Sequence, residues 1–350
     1  MRIAIMAPPW AAVPPDGYGG IEAVVDVLAR GFDSMGHEVF LWTTGDSTCP
    51  VNRGYVLRVS AGDRIGTAAI ELQHLLRGYD EIDRWGADIV HDHSLIGPIY
   101  AQRFRHLPVV TTNHGPFNEE LTALYRAVAT SVPLIAISRD QARRAGDVPI
   151  AAVIHHGVDM ADFPQGDGAG DGAGPYFLFL GRMAPEKGAR RAALAARQAG
   201  VKLVMAAKMR EPWEHRFYAE RVRPLLDDDI VYVGEVGHSE RVRLLRGATA
   251  LVNPIRWPEP FGLVMIEALA CGTPVLAFGE GSAPEIIDDG VTGYLCDDVE
   301  DLARRMADAH LLDRAACRAA AKERFSAERM VQDHVLLFER VLRQHAGRAA

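Results

Sequence analysis

The densest chemistry in this chain lies in the run Glu259-Pro260-Phe261-Gly262-Leu263-Val264-Met265-Ile266-Glu267-Ala268-Leu269-Ala270-Cys271-Gly272-Thr273-Pro274. From Leu263 to Cys271 the only polar side chain is Glu267, so the stretch reads as a helix buried nearly all round. A carboxylate inside such a helix is costly unless a dedicated partner meets it. Gly262 opens the helix start to close approach by an anion, and a helix N-terminus favours phosphate. Glu267 then stands about 7.5 Å further along the axis. That separation suits a ligand with phosphates at the helix start and a hydroxylated ribose beside the helix, with Glu259 meeting a sugar at the other end. The competing interpretation is structural, a buried Glu paired with an Arg.

A second group is Phe179-Leu180-Gly181-Arg182-Met183-Ala184-Pro185-Glu186-Lys187-Gly188. Arg182 and Lys187 flank a loop that leaves a strand and enters a helix. Such a pair neutralises a diphosphate leaving group without a metal. In the first half, Pro15-Asp16-Gly17-Tyr18-Gly19-Gly20-Ile21-Glu22 joins the first strand to a helix, and its glycines permit backbone approach to phosphate. It lacks the third glycine of a dinucleotide fingerprint. His91-Asp92-His93 and Thr111-Thr112-Asn113-His114-Gly115 both follow strand ends. His91 and His93 share a face if the strand continues. Together with His114 they have the composition of a three-His metal site, against which stands a plain buried His91 with one backbone partner. Ser138 reads as a helix cap. Asp227-Asp228-Asp229 precedes a strand instead of following one and reads as a solvated turn.

These residues need elements to hold them. Apolar runs at 2–7, 38–43, 55–59, 88–91, 109–112 and 134–137 read as strands, with helices at 20–35 and 118–130. The second half repeats the rhythm, with strands at 176–180, 201–206, 230–233, 250–253 and 274–277 and helices at 189–198, 238–246 and 262–270. That alternation implies crossover connections and mostly parallel sheets covered on both faces. Ligands of such sheets bind outside the carboxyl ends of the strands. The expected fold is α/β, two doubly wound Rossmann-like domains facing a central cleft. The segment 164–175 holds five glycines and two aspartates without an apolar anchor and reads as a flexible, solvated linker. The expected domains are 1–165 and 166–326, with an amphipathic helix in 327–350 packing back across either one.

Composition sets the outer bounds. At 350 residues the chain is long enough for two cores. With 38 Lys and Arg against 46 Asp and Glu, the net charge of −8 argues against a polymeric nucleic-acid partner. It leaves room for one small anion held by two or three local charges. Cys49, Cys271, Cys296 and Cys317 are too scattered for a disulfide framework or a CxxC metal site, which suggests a reduced, cytoplasmic compartment. The first strand soon meets Pro8 and Pro9 and does not read as a signal peptide. No stretch approaches the ~18 apolar residues that span a bilayer. Small basic groups at Arg103, Arg105 and His106, and at Arg139, Arg143 and Arg144, are compatible with peripheral membrane contact, though solvated helix faces are the simpler reading.

The spacing Glu259-x7-Glu267, with Pro-Phe-Gly-Leu inside it and Cys-Gly-Thr-Pro-Val after it, resembles the retaining nucleotide-sugar glycosyltransferases of family 4, whose fold is GT-B. The 179–188 run fits the same family, and His155-His156-Gly157-Val158-Asp159 is similar to its domain-exit motif, where a structural role leaves both histidines outside the site. The resemblance implies that Glu259 binds the donor sugar, Glu267 the ribose, and Arg182 and Lys187 the diphosphate. It adds Phe261, Gly262, Leu263 and Val264 to the donor contacts and Gly19 and Gly20 to the phosphate or acceptor side. His114 becomes an active-site group at the donor sugar and acceptor, with His93 beside it. The catalytic set is then His114, Glu259, Arg182 and Lys187, with no metal and no cofactor. The implied activity is metal-independent hexosyl transfer, with retention, from a nucleoside-diphosphate sugar (UDP-linked by expectation) to an acceptor hydroxyl. A nucleotide-sugar epimerase of the same fold and a non-catalytic sugar-nucleotide-binding protein are the alternatives.

Overall fold

The computed structural model describes residues 1–17, 19–170 and 174–349. Two compact units divide the chain: Met1–Gly157 with Ala327–Ala350, and Val158–Ser326.

The first unit is built on seven strands: β1 (Arg2–Met6), β2 (Glu38–Thr43), β3 (Asn52–Tyr55), β4 (Ile89–Asp92), β5 (Val109–Thr112), β6 (Leu134–Ala136) and β7 (Ala152–Val153). All pair in parallel, in the order β3-β2-β1-β4-β5-β6-β7. A parallel sheet covered on both faces asks for unbroken apolar runs, and Ile3, Ala4, Ile5 and Met6 are all fully buried. The edge differs from expectation. Its strand lies at Asn52–Tyr55, not 55–59, and is largely exposed, so no apolar run announces it. Gly54 permits the pairing, because a Cβ there would stand 2.8 Å from the rings of Phe40 and Trp42.

The C-terminal helix Ala327–Ala349 belongs to this unit and packs on the helix Gly20–Ser34. Phe32 meets Phe338 with ring centroids 5.5 Å apart. Gly31 makes the approach close: a Cβ there would lie 2.3 Å from Val331.

The second unit carries β8 (Phe177–Arg182), β9 (Leu203–Lys208), β10 (Ile230–Gly234), β11 (Ala250–Asn253), β12 (Val275–Phe278) and β13 (Gly293–Cys296), again parallel, in the order β10-β9-β8-β11-β12-β13. The helix Ala189–Ala199 buries a face of Ala189, Ala192, Ala193, Ala195 and Ala196. The glycine-rich run is part of this unit and not a linker beyond it. Gly166, Gly168 and Gly170 donate their amides to the carbonyls of Cys271, Arg246 and Gly247 at 3.0, 3.1 and 3.0 Å. The Arg314 guanidinium closes over the Gly166 carbonyl at 3.0 Å. Glycine is required for this docking, since a Cβ on Gly166 would lie 2.1 Å from the Arg246 carbonyl oxygen. Residues 171–173 of the expected linker lie outside the described residues, as does Tyr18 of the first glycine loop.

In each sheet the strand order reverses once, between β1 and β4 in the first and between β8 and β11 in the second. Loops leaving the carboxyl ends of those strands are where a doubly wound sheet binds ligands. Among the described residues no helix is long and apolar enough to cross a membrane. All four cysteines are free and buried.

Candidate active site

In the second unit, the sequence-selected residues gather at the reversal between β8 and β11. Arg182 ends β8. Its guanidinium donates to Glu186 at 2.6 Å, and its Nε lies 3.5 Å from Oε1 of Glu214, a fully buried carboxylate. Neither Nε nor that Oε1 has a hydrogen-bond partner, so this face of the guanidinium is held by charge alone. The other oxygen of Glu214 accepts from the amides of Arg210 and Glu211 at 2.7 and 3.0 Å, capping the helix Pro212–Phe217. Glu214 thereby ties the position of Arg182 to a helix start. The Trp213 ring stacks 5.4 Å from the guanidinium carbon.

Lys187 sits in the loop that follows, just before Gly188 takes a φ of +88° at the head of the next helix. Its Nζ donates to Glu259 at 2.5 Å, and the Trp257 indole donates to the same oxygen at 2.5 Å. Both charged side chains are about 15% exposed. Lys187 also rests 5.0 Å from the Trp257 ring centroid. The cation expected at the diphosphate and the carboxylate expected at the sugar are thus paired with each other.

Glu259 leads into the helix Leu263–Ala270. Gly262 caps it with a φ of +94°, a backbone state that a side chain would strain. Leu263 and Val264 of the first turn are partly exposed, whereas Met265–Ala270 are buried. The helix is thus open at its N-terminus and not buried all round. The loop is pinned from the side by Gly281 and Ser282. Ser282 donates its amide to the Glu259 carbonyl at 3.1 Å and its hydroxyl to the Phe261 carbonyl. Gly281, at φ +58°, comes so close that a Cβ would lie 2.5 Å from the Glu259 backbone. Glu267 is 5% exposed. Its Oε2 lies 3.6 Å from Nε of Arg241, and neither atom has a hydrogen-bond partner. An arginine therefore does meet this glutamate, but the contact leaves hydrogen-bonding capacity unused on both sides.

In the first unit, Gly19 and Gly20 stand at the start of the helix that follows β1. Gly19 is extended, with φ −176°, and it is glycine because a Cβ would lie 2.7 Å from Pro15. Glu22 in the first turn is 5% exposed, and burial pushes its carboxyl up to about 7. Its negative charge at the positive helix end is thereby reduced near neutral pH.

His93 follows β4 and His114 follows β5. The structure links them in one run: His114 Nε2 to His93 Nδ1 at 2.8 Å, His93 Nε2 to His91 Nδ1 at 3.2 Å, and His91 Nε2 to the Thr112 hydroxyl at 2.8 Å. His156 stacks on His114 with centroids 5.3 Å apart, and His334 of the C-terminal helix lies 4.9 Å from His91. His156, expected to be mainly structural and outside the site, is thus part of the cluster. Burial drives all five rings below the usual histidine range, and neighbouring imidazoles repel added charge further at His91, His93, His114 and His156. His114 falls to about 3 and His334 to about 4. The rings are therefore neutral at physiological pH. Among the described residues no group of three or more His, Cys, Asp or Glu has an arrangement that could hold a metal ion, because the ring nitrogens are turned toward one another. Asp227–Asp229 forms the exposed turn expected, with Asp227 accepting from the amides of Asp229 and Ile230.

Sequence reasoning missed Glu214, Trp257 and Arg241, and it gave Thr112 no role of its own beside His114. Trp257 had a local signal, two residues from Glu259. Glu214 and Arg241 come from elements remote in the chain.

Two parallel α/β units, the second with charged loops at its strand reversal, have the GT-B fold of the glycosyltransferases. Residues 168–324 match the family described as Glycosyl transferases group 1, and residues 18–162 match Glycosyltransferase Family 4. The chain belongs to the family 4 glycosyltransferases. It is 28% identical to a D-inositol 3-phosphate glycosyltransferase of Mycolicibacterium vanbaalenii, over 99% of this chain and 91% of that protein. Among solved structures it is similar to AviGT4, a glycosyltransferase involved in avilamycin A biosynthesis, at 30% identity and a TM-score of 0.72 over 98% of both chains. The fold is also that of Anabaena HepE, solved with UDP and glucose, at 17% identity and a TM-score of 0.75 over 97% of this chain and 98% of that one.

Proposed function

We propose that the protein is a retaining, metal-independent hexosyltransferase that takes its sugar from UDP and passes it to an acceptor hydroxyl. The observation that carries this reading is the pairing of Arg182 and Lys187 with Glu186, Glu214 and Glu259 beside the open start of the helix Leu263–Ala270. Two fixed cations and a free helix N-terminus are what a departing diphosphate needs. The diphosphate draws Lys187 from Glu259, which is then free to accept from sugar hydroxyls. Phe261, Gly262, Leu263 and Val264 shape the phosphate side, and Glu267 accepts from the ribose.

The second unit binds the donor in this reading. The first binds the acceptor, with His93 and His114 on the acceptor side and Gly19 and Gly20 at the phosphate or acceptor. The bond from the anomeric carbon to the diphosphate oxygen breaks on the face where the acceptor hydroxyl adds, and the released phosphate oxygen takes the hydroxyl proton. HepE, of the same fold, was solved with UDP and glucose, and this supports the choice of uridine. Free, buried cysteines support a cytoplasmic setting.

Transfer should proceed at an unchanged rate in excess EDTA, and proton NMR of the product should show the donor's own anomeric configuration. A rate abolished by EDTA and restored by a divalent cation would overturn metal independence, and an inverted anomeric centre would overturn retention.

A further inference from the structure

The hydrogen-bonded run Thr112–His91–His93–His114 has a property that no single ring has. Each ring-to-ring link needs one N–H and one lone pair, and a neutral imidazole has one of each. Fixing one tautomer therefore fixes all three. Only two ordered states exist. In one, every ring is protonated at Nε2, the chain donates toward Thr112, and Nδ1 of His114 is a bare acceptor. In the other, every ring is protonated at Nδ1, Thr112 donates into the chain, and His114 offers an Nδ1–H.

Thr112 decides between them. The residue is 3% exposed, and the bond to His91 is the only hydrogen bond of its hydroxyl among the described residues. In the first state its O–H would be a buried donor with no acceptor. In the second the hydroxyl donates, and only a lone pair goes unused. A buried unmade donor is the costlier defect. At the other end, Nδ1 of His114 has no hydrogen-bond partner among the described residues, and this is the ring of the three that is not fully buried.

We infer that Thr112, through His91 and His93, locks His114 as the Nδ1–H tautomer, so that His114 serves as a hydrogen-bond donor to a substrate oxygen and not as a proton acceptor. Thr112, His91 and His93 are positioning residues. The assignment rests on the reading that His114 lies at the substrate, but the tautomer can be measured without substrate. It fits the proposed chemistry, in which the leaving phosphate takes the acceptor proton and no side-chain base is required.

Nitrogen-15 NMR of the unliganded full chain, with the histidines assigned, tests it. The expected spectrum shows His91, His93 and His114 each protonated at Nδ1 and unprotonated at Nε2. His93→Phe cuts the run one link from His114 and should abolish that single-tautomer signature there, lowering kcat about fivefold with the KM for the donor unchanged, roughly the loss of one hydrogen bond. Thr112→Ser, which keeps the hydroxyl donor, should preserve the signature. Should His93→Phe fail to fold, the tautomer of His114 in the unsubstituted protein still decides the matter. An Nε2–H His114 in the unsubstituted protein, or a His114 tautomer indifferent to His93→Phe, overturns the inference. Full transfer by His114→Ala would instead overturn the placement of His114 at the substrate, leaving the tautomer result standing.

Discussion

Lys187→Ala should lower glycosyl transfer by about 10²-fold, within the range seen when one electrostatic donor to a developing oxyanion is removed. The loss has two sources. The departing diphosphate loses one of its two cations, and Glu259 loses the ammonium that neutralises it at 2.5 Å. An uncompensated carboxylate would then face the incoming phosphates and repel them. The fold should survive, because the Trp257 indole still donates to Glu259 and the Lys187 bond joins two loops, not core elements. Steady-state kinetics beside a urea unfolding curve separate the two effects. Near-normal turnover in a folded variant would remove Lys187 from the diphosphate.

Glu267→Ala carries the second large effect. Glu267 is buried at 5% exposure, 3.6 Å from Arg241, with one oxygen lacking a hydrogen bond. A ribose diol would satisfy that capacity, and a hydrogen bond to a charged group contributes about 1.5–3 kcal/mol. Calorimetric titration should therefore show the Kd for UDP raised at least about tenfold. The structural alternative predicts a different pattern, since a carboxylate that serves only Arg241 would cost stability when removed and leave UDP affinity intact. Lower stability with unchanged affinity would establish that alternative.

The parts of this molecule legible in the sequence are those whose signal is local. The alternation of apolar runs and helical periods located the central strands of both sheets, because a strand buried on both faces must be apolar throughout. Glu259, Gly262 and Glu267 were legible as a set, since a lone carboxylate in an apolar helix asks for a ligand. Strand β3 was misplaced because an exposed edge of Asn, Arg, Gly and Tyr has no apolar period. The glycine run at 164–175 looked like a free linker because the partners of Gly166, Gly168 and Gly170 are backbone carbonyls of distant residues, which no composition records. The same reason hid Glu214 and Arg241, ordinary surface residues by sequence until folding sets them against Arg182 and Glu267. His334 read as one more residue of an amphipathic helix, and only the packing of Val331 against Gly31 shows which unit that helix serves.

The central claim is that Arg182 and Lys187 hold a nucleoside diphosphate through its phosphates. It is tested most directly by titrating UDP and uridine into the unsubstituted protein and into the Arg182→Ala, Lys187→Ala double variant. The account predicts that UDP affinity falls at least about 10²-fold in the double variant, some 2.8 kcal/mol, while uridine binds both proteins equally. Equal UDP affinity in the two proteins would contradict it.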